Sequence, residues 1–392
     1  MVCAIGAVFG GVVLTVTAQD DEGGIEIDGG SLGLFNLHPY IDLRATWDDN
    51  VLLSDDDATV AKSDDVFFSA LGGIQQDKGF GPVRLGLDAW FFVERYSDVD
   101  AVDDEDFGIN LDIGSGGDKR LGERDDVELI LIADFQQTDD IDYETGDLED
   151  TETFEVGGGL GKSFGTRVDA DVVYTHSERE YDSGLVFGFN EDSVRADVTP
   201  HVSDKTSLIL VGVWGEQDSD ATPGVDEFYE LRGGLSYRAT DKTRVSASVG
   251  YARHDRFDAD TVSFEVSGAW QATDKLGLDI AVNNEYVPSV REDNLNLETH
   301  LSAVALYRVS DTVAARANVD WHGNALEVPS SLAPAGLDGD SDTVGGNLTL
   351  IYSPRDANYS LYAEARYETR DSEVVGDDYD KTTASVGARL RY

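Results

Sequence analysis

Apolar and polar residues alternate along most of this chain. In 382–392 one face carries Thr382, Ala384, Val386, Ala388, Leu390 and Tyr392, and the other Thr383, Ser385, Gly387, Arg389 and Arg391. The same alternation sets Tyr359, Leu361, Ala363, Ala365 and Tyr367 against Ser360, Tyr362, Glu364 and Arg366. It sets Val313, Ala315, Ala317, Val319 and Trp321 against Ala314, Arg316, Asn318 and Asp320. At 168–174 Val168, Ala170, Val172 and Tyr174 oppose Arg167, Asp169 and Asp171. Period-2 alternation marks a strand with one apolar and one wet side. About 18 such segments are predicted, near 38–47, 64–76, 81–96, 105–114, 126–137, 153–164, 166–180, 191–202, 206–217, 227–240, 243–254, 261–272, 275–286, 296–309, 312–323, 342–353, 358–370 and 381–392.

Two kinds of connection alternate between these segments. Short ones are QDKG (76–79), GDKR (117–120), SFGT (163–166), SDKT (203–206), TDKT (240–243), TDKL (273–276), SDTV (310–313) and SPRD (353–356). Their Asp, Ser, Gly and Pro supply turn chemistry. The others are longer and acidic, such as TDDIDYETGDLEDTE and RDSEVVGDDYD. Alternation of this kind predicts an antiparallel meander with tight turns at one end and large loops at the other. A propeller would place four short strands in each repeat of about 40 residues. Here each repeat holds two strands of about 10–15 residues, against the about 9–11 that cross a bilayer. The predicted fold is all-β: one transmembrane antiparallel up-and-down β-barrel of about 18 strands (range about 16–18), with short periplasmic turns and long acidic external loops. Aromatics near the strand ends predict interfacial girdles: Tyr40, Trp47, Trp90, Tyr96, Trp214, Tyr229, Tyr237, Trp270, Tyr307, Trp321, Tyr352 and Tyr392.

Composition agrees with a barrel. The 392 residues include 41 Gly and 16 Tyr but one Cys, one Met and eight Pro. A dense soluble core is not needed where one face meets acyl chains and the other water. The net charge of −49, from 78 Asp+Glu against 29 Lys+Arg, argues against nucleic acid as a partner. Residues 1–18 are apolar and end in Val16-Thr17-Ala18, a signal-peptide pattern that lacks the usual Lys or Arg. The expected division is therefore a signal peptide at 1–18, a periplasmic segment at 19–37 and the barrel at 38–392. Cys3 falls in the leader, so no disulfide is expected.

The alternation and loop asymmetry resemble outer-membrane β-barrel porins of Gram-negative bacteria. More narrowly, HPYIDLRATWDDNVLLSDDD (38–57) is similar to the opening element of the β-barrel porin type 2 family. The final SVGARLRY resembles the terminal strand read by the barrel-assembly machinery, with Tyr392 where Phe is commoner. The resemblance implies an outer-membrane location with both termini periplasmic. It also implies contact with outer-membrane lipid and lipopolysaccharide, and a monomer or homo-oligomer. The expected function is passage of small hydrophilic solutes or ions. The alternative is an accessory or structural barrel of exopolysaccharide or envelope polysaccharide export.

If the apolar faces meet lipid, the wet faces line a lumen. The candidate pore-lining residues are Arg84, Asp112, Arg167, Asp169, Arg195, Arg232, Arg316, Asp320, Glu364, Arg366 and Arg389. Mixed Arg and carboxylate suits a hydrated pore wall. Cross-strand ion pairing is the plainer role for each. The acidic loops could gather divalent cations, but DGDSD (338–342) lacks the Gly and Glu that a calcium loop needs at its sixth and twelfth places. Residues 323–341 are the candidate for a loop folding inward. His254-Asp255, His176 and His322 are the nearest approach to hydrolytic chemistry. No nucleophile or ligand spacing joins them, so no enzyme activity and no cofactor are expected.

Overall fold

The structure, a computed structural model, describes residues 37–391 apart from 52, 54–63, 81–82, 99–103, 116–126, 142–147, 182–187, 220–223, 289–294, 328–339, 356 and 373–377. The expected signal peptide, the periplasmic segment up to 36 and Tyr392 lie outside the described residues. So does most of the expected inward loop: of 323–341, residues 323–327 continue a strand, and 340–341 lead into the next.

The strands are β1 (His38–Asp48), β2 (Asp65–Phe80), β3 (Val83–Tyr96), β4 (Asp104–Ser115), β5 (Glu128–Ile141), β6 (Leu148–Phe164), β7 (Val168–Tyr181), β8 (Phe189–Ser203), β9 (Thr206–Ser219), β10 (Val225–Thr240), β11 (Thr243–His254), β12 (Ala259–Thr261), β13 (Phe264–Thr273), β14 (Leu276–Pro288), β15 (Leu295–Arg308), β16 (Val313–Glu327), β17 (Ser341–Tyr352), β18 (Tyr359–Ser372) and β19 (Tyr379–Arg391). Each pairs antiparallel with its neighbour in sequence, except that β12 and β13 both pair with β11, and β1 also pairs with β19 through Tyr40↔Arg391 to Asp48↔Thr383. The sheet is closed. Closure is the condition for a sheet in lipid, because an unpaired backbone group there costs several kcal/mol. The short β12 and the longer β13 both pair with β11 in one unbroken register, so together they form one of 18 barrel strands.

Parity decides which side chain goes where. On β1, Ile41, Leu43 and Trp47 are 44%, 48% and 41% exposed, whereas Asp42, Thr46 and Asp48 are 5%, 5% and 1% exposed. The apolar face is therefore the outside of the barrel and the polar face its inside. The outer belt has two aromatic rims. Tyr229 and Tyr237 on β10 both point outward, as do Tyr359 and Tyr367 on β18. Each pair brackets about 26 Å of strand at about 3.3 Å per residue, the scale of an outer-membrane apolar band. Trp214, Trp270, Tyr307 and Tyr352 join these rims, all exposed.

The rim expectation fails for Tyr40, Trp90 and Tyr96. Tyr40 and Trp90 face each other across Gly73, and Tyr96 opposes Phe67. All three share the parity of Asp42 and Asp88, so they point into the lumen. A position near a strand end does not choose a face; the two-residue period does.

The tight turns repeat one construction. The side-chain oxygens of Ser203, Thr240, Thr273 and Ser310 accept the backbone N–H of Lys205, Lys242, Lys275 and Thr312. Then the carbonyl of Lys205 accepts from Arg238 N, that of Lys242 from Gln271 N, that of Lys275 from Arg308 N, and that of Thr312 from Ser353 N. Each turn is thus tied to the next hairpin. Two turn assignments need correction. Residues 76–79 continue β2, whose ladder runs to Phe80↔Val83. Arg167 lies in the turn at 165–167, opened by Gly165 at a left-handed φ of 65°, and so precedes β7 instead of joining it.

Candidate functional site

The inner face is polar on most strands; β9 turns Ile209, Val211 and Val213 inward, and β5 turns Ile130 and Ile132 inward. Of the predicted lumen residues, Arg84, Asp112, Asp169, Arg195, Arg232, Arg316, Asp320, Glu364, Arg366 and Arg389 all carry inward parity. Arg167 is exposed in its turn.

Most of these are held by neighbours. Arg389 Nη2 lies 2.7 Å from Asp42, which also accepts from the Tyr362 hydroxyl. Arg195 forks onto Asp197 at 2.8 and 3.0 Å. Arg232, 3% exposed, lies between Glu230 (3.3 Å) and Glu265 (3.2 Å). Arg366 bonds Glu368, and Lys381 reaches Asp48 at 2.9 Å. Asp169 accepts from Ser163 Oγ (2.5 Å) and contacts His201 Nε2 (2.8 Å). Glu364 accepts from Thr349 Oγ1 at 2.7 Å. Forked Arg–carboxylate contacts fix wall side chains and leave their edges to water.

Charge is unevenly spread round the wall. From β3 to β6 the inner face carries Asp88, Glu94, Asp104, Asp106, Asp112, Glu128, Asp134 and Glu155. Among the described residues of that sector, Arg84 is the one inward cation. Asn110 and Gln136 both donate to Asp134, at 2.9 and 2.8 Å. Near the tight turns the wall is instead arginine-bearing on β10, β11, β15 and β16, through Arg238, Arg244, Arg308 and Arg316.

Glycine makes room for large inward side chains. The Trp90 indole lies across Gly108, where a Cβ would stand 2.7 Å from Cε2 and Nε1. The Asp320 carboxylate covers Gly345 in the same manner. Side chains laid flat over glycine thicken the wall less than upright ones would.

The histidines do not assemble a hydrolytic site. His254 is bonded to Asp226 on β10 (2.5 Å), not to its sequence neighbour Asp255, which Arg253 holds at 2.9 Å. Phe228 stacks on His254 with centroids 5.1 Å apart. His176 points outward and contacts Asp192 at 3.0 Å. His300 and His322 oppose each other on the inner face, ring centroids 5.8 Å apart, and His322 Nε2 lies 3.0 Å from Glu298 Oε2. Sequence spacing could not reveal these pairings, because register supplies the partners.

A closed barrel with an apolar, aromatic-rimmed exterior and a polar interior is the outer-membrane architecture. No protein-family model matches the chain, including one for the type 2 family that 38–57 resembles, and no curated protein matches it. Solved structures do. The chain is similar to OpdO of Pseudomonas aeruginosa at 14% identity and a TM-score of 0.49, covering 91% of this chain and 97% of that one. It is similar to a BenF-like porin from Pseudomonas fluorescens Pf-5 at 10% identity and 0.48, covering 93% and 100%. OccAB4 of Acinetobacter baumannii matches at 11% identity and 0.45, covering 93% and 99%. At these values none of them says what enters this barrel.

Proposed function

We propose that the chain is an outer-membrane porin-like barrel that passes small hydrophilic solutes or ions. The observation that supports this most is the two-sided wall. Most strands present apolar residues outward and polar or charged residues inward, over a belt long enough to cross the bilayer; β9, with Ile209, Val211 and Val213 inward, is an exception. Barrels of about this strand number enclose room for an aqueous channel. In this reading Arg84, Asp112, Asp169, Arg195, Arg232, Arg316, Asp320, Glu364, Arg366 and Arg389 line the path, and Arg167 stands at its mouth. The belt contacts outer-membrane lipid and lipopolysaccharide, and both termini lie in the periplasm.

Osmotic swelling of proteoliposomes tests the reading. Folded, heat-modifiable protein should admit arabinose quickly and a trisaccharide slowly. Vesicles that stay impermeable to arabinose would defeat it, and would favour the accessory role in polysaccharide export.

A further inference from the structure

The inner face of β14–β16 holds a patch with a distinct chemistry. Its lower row is Asn283, His300 and His322, directly opposed on successive strands. Two residues nearer the loop end, the upper row is Glu285, Glu298 and Asn324. The rows are about 7 Å apart and share one face.

All six side chains of this patch can accept hydrogen bonds; its N–H groups are those of the two Asn and two His, and His322 Nε2 lies 3.0 Å from Glu298 Oε2. Glu285 and Glu298 stand directly opposite each other, an arrangement that like charges disfavour. Asn283 and Asn324 are 7% and 5% exposed, and the side-chain oxygen of each has no hydrogen-bond partner. A buried acceptor without a donor is costly, and two beside facing carboxylates need an explanation. Neither Asn oxygen takes a hydrogen bond from the arginines that flank the patch. Arg232 is engaged by Glu230 and Glu265; on the far side Arg370 lies buried across Thr343 from His322, and Arg366 is engaged by Glu368. Arg308 and Arg316 lie near the tight turns, below both rows. A metal ion is not the natural complement either. Among the described residues, no group of three or more His, Cys, Asp or Glu is placed to hold one. What fits is positive charge spread over several N–H donors.

We propose that this patch binds an organic cation bearing a guanidinium or primary ammonium group. The charge lies between Glu285 and Glu298, and N–H groups reach Asn283 and Asn324. The proposal rests on the lumen being open to solutes, as the porin reading holds.

Agmatine carries both groups and no carboxylate. Tetramethylammonium carries the same charge type with no N–H. Calorimetric titration of the folded barrel in detergent should show agmatine binding and no tetramethylammonium binding. Glu298→Gln should weaken agmatine at least tenfold, and Asn324→Leu several-fold, with both variants still heat-modifiable. Asp112→Asn, on the opposite wall, should leave affinity unchanged. Absence of agmatine binding, equal binding of both cations, or unchanged affinity in Glu298→Gln and Asn324→Leu would overturn the proposal. The porin reading fails separately: agmatine binding by a barrel that admits no arabinose keeps the site and removes the pore.

Discussion

The two ends of the barrel are built on different principles. The turn end repeats a single device: a Ser or Thr oxygen caps the turn, and the turn carbonyl accepts an N–H from the next hairpin. The loop end uses contacts that occur once each. Asp226 accepts from Arg256 N and pairs with His254, while Arg256 also donates to the Gly224 carbonyl. Asn284 replaces a stretch of ladder, its Oδ1 accepting from Phe264 N (2.8 Å) and its Nδ2 donating to the Val262 carbonyl (2.9 Å). Repetition spreads a small contribution over many turns. Single-use contacts concentrate it, so the same kind of substitution should cost far more at one end than at the other.

The largest effect is expected from Asp226→Ala. Asp226 is 1% exposed, and its loss strands His254 and the Arg256 N–H together. Unfolding in urea should show a loss of about 3 kcal/mol. Asn284→Leu comes next. It removes both partners of two backbone groups where β12 has already left the β14 ladder, and should cost about 2 kcal/mol. Hydrogen exchange should rise locally at Phe264.

At the turn end, Thr273→Ala removes one oxygen that accepts from both Lys275 N and Leu276 N. About 1 kcal/mol or less is expected there, because these exposed N–H groups can turn to water. The smallest effect belongs to the link between two copies of the same turn, where Lys242 Nζ lies 2.7 Å from Asp274. The Lys242 hydrogen bond holds the Asp274 carboxyl below its usual range. Whatever stability it adds is therefore present above the ordinary carboxylate pKa and is lost as pH falls through the depressed one. Both groups are exposed and screened, so Asp274→Asn should leave the urea midpoint unchanged at neutral pH. A large loss in Asp274→Asn, or none in Asp226→Ala, would erase the contrast between the ends.

The alternation of apolar and polar residues made the barrel legible in the sequence. Each predicted segment became a barrel strand, because the period of two is enforced by lipid outside and water inside. The inward parity of Arg195, Arg316 and Arg389 followed from the same rule. What failed had a local cause. Nearness to a strand end does not place Trp90 and Tyr96, because parity decides their face. Arg167 precedes a strand that begins one residue later, past the left-handed Gly165. His254 has Asp255 as its sequence neighbour, but register brings it Asp226 from 28 residues away. The acceptor patch of Asn283, Glu285, Glu298, His300, His322 and Asn324 has no sequence signal at all, since it exists only once three strands lie side by side.

A porin-like barrel requires that the inner face bound a path for water and ions. Planar-bilayer recording of the purified, heat-modifiable protein is the decisive test. Stepwise, ohmic ion currents are expected as single barrels insert, shifted in size when inward charges such as Arg316 and Asp112 are neutralised. Folded protein that inserts yet carries no current would contradict it.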